Sequence, residues 1–401
     1  MTEPDPDLIV RVAAKGDGAT ADGRYAPLAA PGDRLLADGT VVPGPHHAVP
    51  PCRHFPQCGG CQLQHLDEAA LADYVFGRVA GGAAGQGLTA EVIAPAHLSP
   101  PRTRRRAELH AQAIGRRVVI GFRGQGSHKI IDMRECHVLA PELFALVEPL
   151  RALLEGLKDR KLLADIELVL TDQGAAVDLK GVKFEGLAAT EGLLDFARAH
   201  GLARLTLDQG YGAETTWEPE PVTVSLSGVP VGYPPGSFLQ ATRDGEAALA
   251  DAAREWLTGA ATIADLFSGL GTFAFALTAP AKVMAVEAAR EPHLAGQIAA
   301  RRAGVPVHSL HRDLFRNPLR TEELDKFAAV LLDPPRAGAR EQVDQIAASI
   351  VPRVVYISCN PASWARDAAV LVAGGYRLKE LRPVGQFRWS THVELASLFV
   401  R

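Results

Sequence analysis

The stretch TIADLFSGLGTF, residues 262–273, reads as a buried strand that breaks into a glycine turn, and the fold of the chain's second half follows from it. Gly269 and Gly271 let the backbone turn tightly and approach a ligand that side chains would hold off. A lone Gly-x-Gly is also an ordinary tight turn, so the downstream pattern decides between the two readings. There, KVMAVE, VPVHSLHRD, AAVLLDPP and RVVYISCN alternate with Ala-rich helical stretches, which is the pattern of a doubly wound parallel sheet. Such sheets bind ligands at the carboxyl ends of their strands. Here those ends carry, in order, the Asp265–Phe273 loop, Glu287, Asp313, Asp333-Pro334-Pro335-Arg336 and Ser358-Cys359-Asn360-Pro361.

Upstream the pattern changes. Residues 90–235 mix strands such as RRVVIGFR, IELVLTD and AAVDLKG with helices near 141–157 and 187–200, an α+β arrangement that ends at Gly232-Tyr233-Pro234-Pro235-Gly236. Residues 8–42 are short strands punctuated by Gly16-Asp17-Gly18, Asp22-Gly23 and Pro31-Gly32-Asp33, a small β-module. A Pro-rich segment, Pro43 to Pro51, then leads into cysteines, and a helix is expected from about Asp67 to Arg78. Three units are therefore expected, at residues 1–50, 51–235 and 236–401.

The chain has 401 residues and is 47% hydrophobic, long enough to bury more than one core. Its longest apolar stretch, between Asp265 and Lys282, is short of a membrane span and holds Gly, Ser, Thr and Pro. Met1 to Asp7 is acidic and lacks the basic start of a signal peptide, so a cytoplasmic location is expected. The net charge of −4 hides an uneven distribution. Between Arg102 and Arg134 nine Lys or Arg stand against Glu108 and Asp132, a basic island that is either a solvated face or a polyanion-binding surface.

The strand ends select among cofactors. Glu287 lies at about the spacing at which an acid after the second strand binds a ribose hydroxyl pair. A dinucleotide would want a third glycine to receive its pyrophosphate, and Phe273 and Ala274 occupy that region. S-adenosylmethionine has no phosphate and needs only the close glycine approach and the ribose acid. Cys359 puts a thiol at the same rim, beyond the buried-hydrophobe role usual for a free cysteine. Near the C-terminus Glu394 opens the strand ELASLFV. These residues suit methylation of uracil carbon 5, which is too poor a nucleophile to react unaided. Thiolate addition at carbon 6 by Cys359 makes carbon 5 electron-rich, and a base, Glu394, must later remove the carbon 5 proton.

With these residues in view, the chain from about residue 50 onward resembles the RNA uracil-5 methyltransferase family, most closely its 23S rRNA branch. The resemblance rests on Cys52-x5-Cys58-x2-Cys61 with Cys136, Phe238-Leu239-Gln240, the Asp265–Phe273 loop, Leu332 to Gly338, Ser358-Cys359-Asn360 and His392-Val393-Glu394. It implies a Rossmann-like class I methyltransferase domain, an α+β RNA-binding central domain and an N-terminal β-module resembling a shortened TRAM domain. It also implies cofactor contacts from Gln240, Phe267, Thr272, Glu287, Asp313 and Asp333, with Cys359 as nucleophile and Glu394 as base. Thr272 stands where the family usually has Asn, and Gln386 to Thr391 departs from the family's usual approach to the base.

Cys52, Cys58, Cys61 and Cys136 in a reducing compartment point to metal rather than to disulfides. Four thiolates suit either tetrahedral zinc or a [4Fe-4S] cluster, and spacing alone does not choose. The resemblance favours [4Fe-4S], with His54 and His65 as bystanders. The expected partner is RNA, 23S rRNA first, with no membrane and no obligate protein partner, so a monomer. Rival readings are the same chemistry on the tRNA T-loop, an amino-group methyltransferase, which Arg336 after Pro335 disfavours, and a non-catalytic RNA-binding iron-sulfur protein.

Overall fold

A computed structural model describes residues 5–279 and 281–401; the first four residues of the acidic N-terminal stretch and Pro280 lie outside it. The catalytic half is built on a nine-stranded sheet. Its order runs Val307–His311, Lys282–Glu287, Thr262–Leu266, Ala329–Leu332, Arg353–Ser358, Glu394–Val400, Arg377–Gly385 and Val92–Ile93, with His97–Leu98 also on Arg377–Gly385. The first five are mutually parallel and Glu394–Val400 is antiparallel to both neighbours. The central strands, such as Ala329–Leu332, are buried along their whole length, as a strand covered by helices on both faces must be. Chain order reverses between Thr262–Leu266 and Ala329–Leu332, which opens the crevice where such sheets take ligands.

The central unit is a separate six-stranded sheet, ordered Ala213–Trp217, Arg204–Asp208, Gly174–Lys180, Leu163–Thr171, Arg106–Ile114 and Arg117–Gly121. Alternation along Arg106–Ile114 buries Ala107, Leu109 and Ala111 against helices Val147–Gly156 and Leu187–Ala199 and leaves Arg106 and Glu108 on the other face. The N-terminal module forms a three-stranded and a two-stranded sheet, with Ile9, Ala26, Ala29 and Leu35 as its own small core.

The units do not divide where the sequence reading placed them. Asp67 caps the helix Glu68–Ala84 by accepting the Ala70 N–H at 2.8 Å. That helix runs beyond the expected Arg78, because Leu71, Tyr74, Val75 and Val79 have an apolar partner in the catalytic sheet. The strands at Val92–Ile93 and His97–Leu98 extend the same sheet, and the hairpin Thr223–Gly232 packs on the helix Arg290–Ala303. The segment assigned to the middle thus lends both its ends to the catalytic half.

Candidate active site and cysteine centre

The glycine turn is strained where it meets the crevice. Phe267 (φ +62°) and Gly271 (φ +96°) both occupy the left-handed region that L side chains avoid. A Cβ on Gly271 would lie 2.7 Å from the Phe275 ring, so the turn tolerates only glycine there. Glu287 clamps it: one carboxylate oxygen accepts the Gly269 N–H at 2.8 Å and the other the Ala289 N–H at 2.6 Å. Phe267 faces Phe315 across the crevice, ring centres 5.3 Å apart, and Asp313 holds that loop by accepting the Phe315 N–H at 3.0 Å. Thr272 opens the short helix after the turn.

A buried polar chain closes the far side. Gln240 donates to Asp333 at 3.5 Å, while Gln386 donates to Gln240 at 2.7 Å and accepts the Ala241 N–H at 2.9 Å. Gln386, 1% exposed, received no role from the sequence; its place in a stretch that departs from the family pattern was the one signal.

Cys359 follows the last residue of strand Arg353–Ser358, and Ser358 pairs with Leu395 in antiparallel register. One step beyond that pair, past the end of the ladder, come Cys359 on one chain segment and Glu394 on the other. The two groups are close enough for the Glu394 charge to act on the Cys359 thiol. Asn360 then caps helix Pro361–Ala373 by accepting the Ala362 N–H. Its amide and the Ser363 hydroxyl both donate to the Arg336 carbonyl, at 3.0 and 2.9 Å, which ties the Asp333–Arg336 turn to the cysteine. Arg336 reaches His392 at 3.4 Å.

The electrostatics are those of a dry, acidic floor. Burial pushes Glu394 up to about 7 and Asp265, whose carboxyl has no hydrogen-bond partner, up to about 8. Burial and then the Glu394 charge raise Asp333. Burial, with Glu394 and Asp333 adding to it, pushes the Cys359 thiol up to about 11, against the opposing pull of Arg336. Protonating either acid therefore eases formation of the thiolate.

The four remaining cysteines meet at one enclosed hollow lined also by Arg104, Phe122 and Met133. Burial raises all four thiols, Cys61 to about 12. Among the described residues, only Glu108, His110 and Asp165 bring three potential ligand atoms within 4.8 Å of one another, and they lie on the central sheet away from the cysteines. His54 is engaged elsewhere, accepting the Arg134 N–H at 3.0 Å, and His65 stacks on Phe55.

The basic island divides. Arg105 is 4% exposed and forms an ion pair with Glu246 at 2.5 Å, joining the central sheet to the catalytic half. Arg134 is held by Asp132 and Glu148, and Arg104 lies over the Phe387 ring, 5.3 Å from its centre. Arg106 packs over Phe238, which is 56% exposed at the mouth of the crevice. The charges of the island are thus sorted by geometry, since neighbouring residues along an extended chain point to opposite faces.

This sheet order, with its strand-end glycine turn and acids, defines a class I methyltransferase. A family profile described as tRNA (Uracil-5-)-methyltransferase matches residues 308–401. An uncharacterised RNA methyltransferase of Zymomonas mobilis is 46% identical over 98% of this chain and 99% of its own. The 23S rRNA (uracil(1939)-C(5))-methyltransferase RlmD of Pectobacterium atrosepticum is 32% identical over 90% of this chain and 82% of its own. The chain belongs to the RNA uracil-5 methyltransferase family. In fold it is similar to the Pyrococcus abyssi tRNA (uracil-54, C5)-methyltransferase solved with S-adenosyl-L-homocysteine, at a TM-score of 0.77, 22% identity and 98% coverage of both chains. No helix of the described residues is long and apolar enough to cross a membrane.

Proposed function

We propose that this protein methylates carbon 5 of a uridine in 23S rRNA through a covalent cysteine–uracil adduct. The observation that carries the reading is Cys359, just past the carboxyl end of one strand, beside Glu394 at the amino end of its antiparallel neighbour. S-adenosylmethionine would be held by Phe267, Thr272, Glu287, Asp313, Asp333 and Gln240, and it supplies an activated methyl group. Cys359 adds to carbon 6, opening the 5,6 double bond so that carbon 5 can take the methyl group. Glu394 then removes the carbon 5 proton, and that C–H pair re-forms the double bond as the thiolate leaves. A carboxylate near 7 is matched to this task, since it is ionised in part at neutral pH yet basic enough to accept the proton.

Four thiols lining one hollow suit an iron-sulfur cluster, which the family resemblance favours over zinc. The cluster would be held by Cys52, Cys58, Cys61 and Cys136. We further assign the central unit, residues 51–235, to RNA binding and residues 236–401 to chemistry, in a cytoplasmic monomer.

The 23S assignment follows the rRNA-modifying relative. Mass-spectrometric mapping of 5-methyluridine in cells with and without the gene tests it: loss at one 23S position is expected, and loss only in the tRNA T-loop would overturn it.

A further inference from the structure

The loop 386–393 joins the last two strands and delivers Glu394, and the residues after Cys61 hold it. The Trp389 carbonyl accepts two N–H groups, from Gln62 at 2.7 Å and Leu63 at 2.9 Å. Trp389 sits at φ +58°, a conformation that L residues adopt only where their surroundings impose it. The Gln62 side chain adds a cross-brace. Its amide N–H donates to the Gly59 carbonyl at 2.7 Å, between Cys58 and Cys61, and its oxygen accepts the Thr391 N–H at 3.3 Å. One side chain therefore spans from inside the cysteine loop to three residues before the base.

We propose that Gln62 is a positioning residue that couples the cysteine centre to Glu394, so that the order of the cluster loop sets the rate at which the adduct is resolved. The inference rests on the proposed roles of the four cysteines, Cys359 and Glu394. Its physical basis is that a strained carbonyl with two donors has one stable placement, and the bonds that fix it come from the chain beside the cluster ligands. If the side-chain brace is cut, the backbone bonds to the Trp389 carbonyl remain but Thr391 loses its anchor, Thr391 to Val393 shift, and the Glu394 carboxylate moves off the carbon 5 proton. Addition by Cys359, carried on a different strand, is untouched.

The test uses cluster-loaded protein, methyl-labelled cofactor and substrate RNA, resolved on denaturing gels, with hydrogen exchange of residues 387–392 measured in parallel. Gln62→Ala should form the methylated adduct at the wild-type rate but resolve it about tenfold more slowly, the scale expected when a catalytic group is misplaced by a fraction of an ångström. Cofactor affinity should not change, and exchange at Thr391 should rise. Removing the iron with a chelator should raise exchange at Thr391 in the wild type and add little in Gln62→Ala, the non-additive pattern of two changes acting through one link. Gln62→Glu keeps an acceptor for Thr391 and loses the donor to Gly59. It should resolve adduct normally while its loop no longer responds to iron removal. Wild-type adduct lifetime and exchange in Gln62→Ala, or additive effects of mutation and iron loss, overturn the proposal. RNA carrying 5-fluorouridine serves as the control: if it traps no adduct with the wild type, the covalent mechanism fails and not the brace.

Discussion

At the scale of single residues, the thiol and the carboxyl are separable by what each mutant leaves behind. Cys359→Ala should bind RNA and cofactor yet form neither adduct nor product, because the block precedes chemistry. Glu394→Gln should still add its thiol and accept the methyl group, then stall, with turnover down about 10²–10⁴-fold and labelled protein–RNA adduct accumulating. A labelled adduct with Cys359→Ala would sink the nucleophile assignment. The pH dependence follows from the same burial that raises Glu394. The base works as carboxylate, so below about 7 an increasing share is protonated and adduct resolution slows, while above it resolution levels off. Single-turnover adduct decay from about pH 5.5 to 8.5 checks this. A rate flat through that range would remove Glu394 from the role.

At the scale of elements, the strand Arg106–Ile114 and the residues before it show how a charge run is sorted by geometry. Arg105 turns inward to Glu246 with 5% of its side chain exposed, and its Nε also donates to the Gln240 carbonyl at 3.0 Å. Arg105→Ala should cost about 3–5 kcal/mol, because a buried Glu246 is left without its partner, and it should leave the salt dependence of RNA binding unchanged. Replacing the exposed Arg102 should do the reverse, with stability kept and the slope of log affinity against log salt falling by about one. Denaturant titration and binding at three salt concentrations distinguish the two. Equal slope changes for both would instead make the basic island a single phosphate-binding surface.

At the scale of the whole molecule, the cysteine hollow lies where the N-terminal half meets the catalytic half. Cys61 belongs to the core that also holds Leu63, Trp389 and Val393, and Cys136 touches both this core and that of the central sheet. Anaerobically purified protein should be brown and carry about four irons per chain. Chelation should lower the unfolding temperature of both halves, since a centre shared by two cores stabilises each by its binding energy. Colourless protein with one zinc, or melting that ignores chelation, would refute the assignment.

Much of this was legible in the sequence because the signals are local. Apolar runs alternating with helical stretches define a parallel sheet by period alone, and the strand ends in Glu287, Asp313, Asp333 and Cys359 name the crevice before any contact is known. The Gly269–Gly271 turn is legible for the same reason, since φ is a property of one residue. What lay beyond reach depends on pairing between distant segments. The helix Glu68–Ala84 and the strands near Val92 and His97 join the catalytic sheet because their apolar faces find partners near the other end of the chain, which no local pattern records. Gln386 gains its place, Arg105 its partner and Gln62 its hold on Thr391 in the same way. Cys359 and Glu394 were each visible as candidates, but only the antiparallel register of Ser358 with Leu395 sets them side by side, because a strand's register is decided by its neighbour and not by its own residues.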